Sequence, residues 1–316
     1  MKILVIGAGV SGLTTALVLA REGHDISIWA KELPLQTNSA AAAAIWEPYL
    51  CNPRDKVLVW SKYTREYLEN TVKSDLDSGV RPVRLTEYFD EPKDDPWWRP
   101  AVETFGRVDK TELPDGYVDG YYADLVLMDT SRYLPWLQFQ LAERSIRIEQ
   151  REIGSFKEVP ETFRVIVNCT GLGARELCND NRLYPTRGQV ISIKKRDFKN
   201  AVADDEAHNG LTYIIPRYDD IILGGTAQAN NWSLDPDLND TEEILRKAKR
   251  LSPVFSEVEQ LKVKVGLRPT RDEVRLEFET VEGKSIVHNY GHGGAGYTMS
   301  WGCAQEVATI IKKMLA

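Results

Sequence analysis

The sequence predicts an α/β fold in which a parallel sheet is interleaved with an α+β unit built on a mostly antiparallel sheet. Three observations carry that expectation. The first thirty residues read strand, helix, strand, the opening of a doubly wound parallel sheet. From residue 187 to about 232 the chain reads as successive short strands, and more follow up to about 289. A glycine-rich stretch, HNYGHGGAGYTMSWG at 288–302, then leads into a last helix at 297–315.

Taken in order, residues 2–6 (KILVI) form a continuous apolar run, as expected of a strand buried on both faces. Val10, Leu13, Leu17 and Ala20 recur at helical spacing over 10–22, and Gly23 stops that helix. DISIWA at 25–30 supplies the second strand. Residues 57–73 read as an amphipathic helix carrying Trp60, Tyr63, Tyr67 and Leu68. Prolines, aromatics and short strand-like runs fill 80–128, and a helix returns at 131–144. Strands are expected at 146–153 and 164–169, over GQVISIKK, LTYIIPRYD and DIILGGTAQ, and a helix at 240–250. Parallel-type segments at both ends with an antiparallel block between them imply two discontinuous domains. Residues 1–50, 130–186 and 278–316 form the first, and 51–129 and 187–277 the second.

Bulk properties narrow the function. The 316 residues, 42 % hydrophobic, are enough for a large core. A net charge of −7, with acids and bases spread along the chain, argues against a nucleic-acid partner. No apolar run reaches membrane-spanning length, and KILVIG at the N-terminus lacks the features of a secretory signal, so a cytoplasmic protein with no membrane partner is expected. Cys51, Cys169, Cys178 and Cys303 are scattered without metal-ligand spacing, so reduced thiols and no metal are expected.

Gly7-Ala8-Gly9-Val10-Ser11-Gly12 is a GxGxxG turn between a strand and a helix. Gly7 suits the tight turn, Gly9 the approach of a pyrophosphate, and Gly12 close helix–strand packing. The helix N-terminus favours the phosphate charge. This is the sign of a Rossmann-like dinucleotide site. The ribose-binding acid is expected at the end of the second strand, where Lys31 and Glu32 stand: Glu32, slightly late, suits a ribose, whereas Lys31 suits a phosphate instead. A second glycine turn before a helix puts another positive helix end beside the same ligand. A flavin ring has use for it where charge collects on reduction.

Over nearly its whole length the sequence resembles the D-amino-acid oxidase family of FAD enzymes. The resemblance is carried by VIGAGVSGL at 5–13, AAIWEPYL at 43–50, VNCTG at 167–171, RGQ at 187–189 and YIIPR at 213–217. LGGTAQANNW at 223–232, VGLRPTRDEVRLE at 265–277 and the stretch at 288–302 extend it. Glycine and sarcosine oxidases share the first motif but resemble the later segments less. The resemblance implies that the first domain binds FAD. It implies oxidation of a D-amino acid by hydride transfer from Cα to flavin N5, hydrolysis to a 2-oxo acid and ammonia, and reoxidation by O2 to give hydrogen peroxide.

It also implies roles for residues. Arg268 grips the substrate carboxylate, a task suited to a guanidinium fork, and lies against the cofactor. From the residues alone Arg271 and Arg275 stand as alternatives. Tyr213 adds its hydroxyl to the carboxylate, and the Gly294 carbonyl accepts from the amine. His292 invites a general-base role, but the resemblance puts its backbone near the flavin ring, so a structural and flavin-contacting role is expected. The flavin contacts carried over are Gly7, Ala8, Gly9, Val10, Ser11, Gly12, Lys31, Glu32, Thr37, Asn38, Ser39, Ala43, Ala44, Ile45, Ile153, Gly293, Gly294, Ala295, Gly296, Tyr297 and Thr298. Relatives usually carry Asp-Arg where this chain has Lys31-Glu32. Ile45, Glu47, Ile215 and Ala227 line the side-chain pocket. D-aspartate oxidases place an arginine at the position of Ala227, so neutral side chains are expected to be favoured. Glu47 makes basic ones the second class. A short lid is expected over 204–212. The assembly state is left open, a homodimer being one of the states considered.

Overall fold

The computed structural model describes residues 1–204 and 210–315. The lid expected over 204–212 falls mostly on 205–209, which lie outside the described residues. Strand β1 (Lys2–Ile6), helix α1 (Val10–Arg21) and strand β2 (Asp25–Ala30) open the chain, followed by α2 (Asn38–Ala41) and the long α3 (Arg54–Ser74). Next come β3 (Val80–Phe89), β4 (Phe105–Arg107), β5 (Asp119–Met128), α4 (Thr130–Ala142), β6 (Ile148–Gln150), β7 (Val165–Asn168) and α5 (Ala174–Leu177). The second half runs β8 (Tyr184–Lys194), β9 (Ala201–Ala203), β10 (Tyr213–Pro216), β11 (Asp220–Gly224), β12 (Gln228–Ala229), α6 (Leu238–Leu251), β13 (Gln260–Val281), β14 (Lys284–His292) and α7 (Gly296–Leu315).

These strands form one sheet in the order β4-β5-β3-β9-β10-β11-β8-β13-β14-β7-β1-β2-β6, with β12 paired to β8. From β14 to β6 every neighbour is parallel. From β14 back to β4 the neighbours are antiparallel except for β3 and β9. The parallel and antiparallel parts are therefore regions of a single sheet. The 22-residue β13 makes the join, because it is long enough to serve two partners: it pairs with β8 as far as Thr270 and with β14 from Thr270 onward.

Helices α1 and α7 pack on each other and α3 packs on α7. Val10, Leu13, Leu17 and most residues between them are buried, so α1 is apolar nearly all round, as a helix between a sheet and a second helix must be. Helix α6 is amphipathic. Thr241, Ile244, Ala248 and Leu251 cover a separate core formed by Ile191, Ile193, Ile214, Ile221 and Leu223 on the other face of the antiparallel strands. Its Asp237 cap accepts from Asp240 N. The strand expected at 146–153 narrows to the three residues of β6, an edge strand with charged neighbours and one partner, β2. Among the described residues no helix is long and apolar enough to cross a membrane. All four cysteines are free thiols.

Candidate active site

The first glycine turn is set by close approach. Gly7 has φ +116°, and a Cβ there would stand 2.3 Å from the Cys169 carbonyl oxygen. A Cβ on Gly12 would stand 2.0 Å from the Gly7 oxygen, so strand, turn and α1 close only with glycine at both places. Gly9 differs, because its missing Cβ would meet a side chain, Ser39 Oγ, at 3.0 Å. Val10 N donates to that same Ser39 Oγ at 3.0 Å, and the N–H groups of Ser11 and Gly12 have no partner among the described residues.

The second turn arrives from β14. Gly293 N donates to Pro269 O at 2.9 Å and Gly294 N to Tyr49 O at 3.2 Å. Gly293 has φ +55°, and a Cβ on it would meet the Leu50 oxygen at 2.0 Å. Ala295 N turns back to His292 O, α7 begins at Gly296, and Gly294 itself is exposed. A Cβ on Gly296 would be 3.9 Å from Val10 Cγ1. Thr14 Oγ1 donates to Ser300 O at 3.3 Å and Asn289 Nδ2 to Thr15 Oγ1 at 3.1 Å. The N-termini of α1 and α7 thus converge, and both carry N–H groups without a partner among the described residues and a positive dipole end. His292 lies beneath the turn, buried, with Nε2 donating to Asn289 Oδ1 at 2.9 Å, and burial pushes its pKa down to about 4.

The segment from Thr37 to Leu50 ties the two turns together. Thr37 Oγ1 donates to Pro34 O, Asn38 Oδ1 accepts from Leu267 N at 2.8 Å, and Tyr297 OH donates to Ser39 O at 2.8 Å. Ala43 and Ala44 lead to Ile45, which bridges to Leu127 of β5. Glu47 is held through its backbone: its N–H donates to Thr298 Oγ1, which in turn donates to the Glu47 carbonyl at 2.8 Å. Further away, Lys31 and Glu32 are exposed, and Lys31 pairs with Glu152 at 2.7 Å. Ile153 is half-buried against the core that contains Leu4, Ile6 and Trp29.

Three arginines follow one another on β13, and their surroundings separate them. Arg271 pairs with Asp180 at 2.9 Å, and Arg275 with Glu277 at 2.7 Å and Glu279 at 2.8 Å. Among the described residues Arg268 has no carboxylate partner. It is half-buried, donates from Nη1 to Thr226 O at 2.9 Å, and lies 5.8 Å from the centroid of the Tyr49 ring. Its guanidinium passes over Gly188, where a Cβ would be 2.5 Å from Nη1. Tyr213 stands opposite Gly224 in the β10–β11 pair, and a Cβ on Gly224 would meet its ring at 2.1 Å. Ile215 is buried two residues on, so on the same face, while Ala227 is exposed. Tyr49, Gly188 and Gly224 fall inside matched segments, but sequence alone assigns them no task. The signal was the unexplained small or aromatic residue beside an arginine.

Two glycine turns delivering two helix N-termini to one place, beside a guanidinium with no carboxylate partner among the described residues, define a dinucleotide-binding α/β enzyme fold. The profile of the family described as FAD dependent oxidoreductase matches residues 2–310, and the chain belongs to this family. It is 45 % identical over 323 residues to the D-amino-acid oxidase of Dictyostelium discoideum, spanning 100 % of this chain and 92 % of that protein. It is 40 % identical over 311 residues to the D-amino-acid oxidase of Rubrobacter xylanophilus, spanning 98 % and 95 %. The crystal structure of glycine oxidase from Geobacillus kaustophilus superposes with a TM-score of 0.83 at 17 % identity, covering 99 % of this chain and 95 % of that one, a likeness of fold alone.

Proposed function

We propose that this protein oxidises D-amino acids with FAD, giving 2-oxo acids, ammonia and, with O2 as electron acceptor, hydrogen peroxide. One observation carries the reading. Arg268 is half-buried without a carboxylate partner among the described residues, and its guanidinium lies near the Tyr49 ring that packs on the exposed Gly294. A cation so held suits a carboxylate that arrives with the substrate.

The residues fit the cofactor. Gly9 leaves open a cradle that a Cβ would begin to fill, and the unpaired N–H groups of Ser11 and Gly12 suit a pyrophosphate. In this reading Gly7 to Gly12, Thr37 to Ser39, Ala43 to Ile45, Ile153 and Gly293 to Thr298 hold FAD, with Lys31 and Glu32 at its nucleotide end. FAD supplies, when bound, the two-electron acceptor that takes the α-hydrogen as hydride. Arg268 and Tyr213 hold the carboxylate and fix the direction of the Cα–H bond. The Gly294 carbonyl accepts from the amine. A substrate whose amine enters neutral needs no side-chain base, which agrees with a His292 that is buried and already hydrogen-bonded.

Ile45 and Ile215 offer neutral side chains an apolar wall, and Glu47 makes basic ones the second class. Ala227 brings no cation to meet a second carboxylate, so acidic substrates are disfavoured. Residues 1–50, 130–186 and 278–316 act as the Rossmann-like FAD-binding unit, and 51–129 and 187–277 as the substrate unit. Four unpaired thiols fit a reducing compartment, the cytoplasm. The test is anaerobic mixing of the yellow protein with D- and L-alanine, D-valine, D-aspartate, glycine and sarcosine, following absorbance near about 450 nm, where oxidised flavin absorbs. Bleaching by neutral D-forms and not L-alanine is the expected result. Bleaching by glycine and sarcosine alone would make it a glycine-type amine oxidase.

A further inference from the structure

Gly188 lies inside β8 at a place where the backbone does not ask for glycine. Its φ is not positive, and its register with β13 is regular, Gly188 opposite Gly266 and Arg268 opposite Thr186. A glycine inside a strand gives up packing and costs entropy, so it marks a bend or a close approach. Here the approach is that of Arg268. A Cβ on Gly188 would stand 2.5 Å from Arg268 Nη1 and 2.8 Å from Cζ and Nη2. Gly7 and Gly12 face backbone oxygens, whereas Gly188 faces the tip of one flexible side chain. The other neighbour of β8 is irregular. Between the pairs Gly224–Val190 and Gln228–Arg187, the three residues 225–227 stand opposite two, Gly188 and Gln189. Such a bulge re-aims backbone groups. Thr226 Oγ1 accepts from Gln189 N at 2.8 Å and pins the bulge, and Thr226 O is turned to Arg268 Nη1 at 2.9 Å.

We propose that Gly188 is a positioning residue for the reaction: it is kept bare so that the Arg268 guanidinium rests against β8, where the Thr226 carbonyl fixes Nη1 and leaves the remaining N–H groups to the substrate carboxylate. This deepens the function proposed above and rests on Arg268 holding that carboxylate. A methyl on Gly188 displaces the clamp without touching backbone. The guanidinium has to retreat by about 1 Å to reach ordinary contact, and it then loses its distance to Thr226 O. A shift of that size in a group that orients substrate costs about 100-fold in rate.

The holoenzyme is titrated by calorimetry with benzoate and benzamide, which offer Arg268 a charged and a neutral group of the same shape and have no α-hydrogen to lose. Wild type should prefer benzoate by at least about tenfold, the usual worth of hydrogen bonds to a charged group. Gly188→Ala should fold, bring that preference close to one and lower kcat/KM for D-alanine by about 100-fold. A double-mutant cycle with Arg268→Gln shows whether Gly188 acts through the guanidinium. In the Arg268→Gln background, Gly188→Ala should change the affinity for either ligand by less than about twofold. An equal effect in both backgrounds is what a merely structural glycine predicts, and it overturns the proposal, as does a wild type without preference. Thr226→Val removes the acceptor for Gln189 N and should lower the benzoate preference, and Thr226→Ser should restore it. An unchanged preference in Thr226→Val also overturns the proposal, and this arm stands if Gly188→Ala does not fold. A protein that oxidises no D-amino acid refutes the function above, while this ligand pair still decides the role of Gly188.

Discussion

Tyr297 donates its hydroxyl hydrogen to the Ser39 carbonyl at 2.8 Å, while the Ser39 hydroxyl accepts from Val10 N at 3.0 Å. One residue thus joins the N-terminus of the last helix to that of the first. Replacing the Ser39 side chain leaves the Tyr297 bond to the main-chain carbonyl and frees only the Val10 donor at the start of α1. Ser39→Ala should cost about 1 kcal/mol of stability in the apoprotein, the usual worth of a lost cap. Flavin affinity should fall about fivefold or more. Urea unfolding and titration of apoprotein with FAD measure the two. Unchanged flavin affinity would remove Ser39 from the cofactor site.

Glycine substitutions in the first turn should separate fold from cofactor. Gly12→Ala sets a Cβ 2.0 Å from a backbone oxygen, so the strand–helix contact must open and the protein should lose its cooperative melting transition or several kcal/mol. Gly9→Ala sets its Cβ 3.0 Å from a side-chain oxygen that can move, so it should fold while losing most of its bound flavin. Melting curves and flavin-to-protein absorbance ratios on both variants check this. Equal loss of flavin and of fold at Gly9 would contradict it.

Arg268 should not tolerate lysine. Its Nη1 is committed to Thr226 O, which leaves the rest of the fork to a ligand, and an ammonium cannot do both. Arg268→Lys should lower kcat/KM for D-alanine by about 100-fold or more. Arg271→Lys, at a residue paired with Asp180, should lower it less than about threefold. If the two losses came out reversed, Arg271 would be the carboxylate clamp.

His292 gives stability a pH dependence of known sign. Burial holds its folded pKa at about 4, below the ordinary 6.5, so the unfolded chain takes up the proton first. The contribution is complete above pH 6.5 and is lost as the pH falls from 6.5 to 4, reaching about 3 kcal/mol at this residue. The buried His288, also shifted down by desolvation, acts in the same direction. Urea unfolding of the apoprotein at pH 7, 5.5 and 4.5 should show the decline, and His292→Gln should make it shallower. An equal slope in the variant would mean that other groups carry it.

Much of this is legible in the sequence. KILVIG followed by an apolar helical period has few ways to fold other than as a buried strand, a tight turn and a helix on the sheet. Gly7 and Gly12 are glycines because backbone oxygens stand where their side chains would be. Less could be read at Lys31 and Glu32, whose surface charges fit several tasks, and the structure finds Lys31 paired with Glu152. Arg268, Arg271 and Arg275 were equal as residues, since all three lie on one strand at short spacing. What distinguishes them is distance to acids: Asp180, from outside β13, for one, and for another the two glutamates further along β13.

By itself the sequence determined the local chemistry: the two glycine turns, the helices that follow them, the alternation of the strands and the motifs that place the chain in its family. Only the tertiary structure decided which of these meet. It brought residue 10 to residue 39 and residue 39 to residue 297, joined the two regions into one sheet through β13, and laid Arg268 over Gly188 of the neighbouring strand. The reason is physical. Turn geometry and side-chain period depend on near neighbours along the chain, whereas register, desolvation and ion pairing depend on atoms hundreds of residues away, brought close only when the core closes.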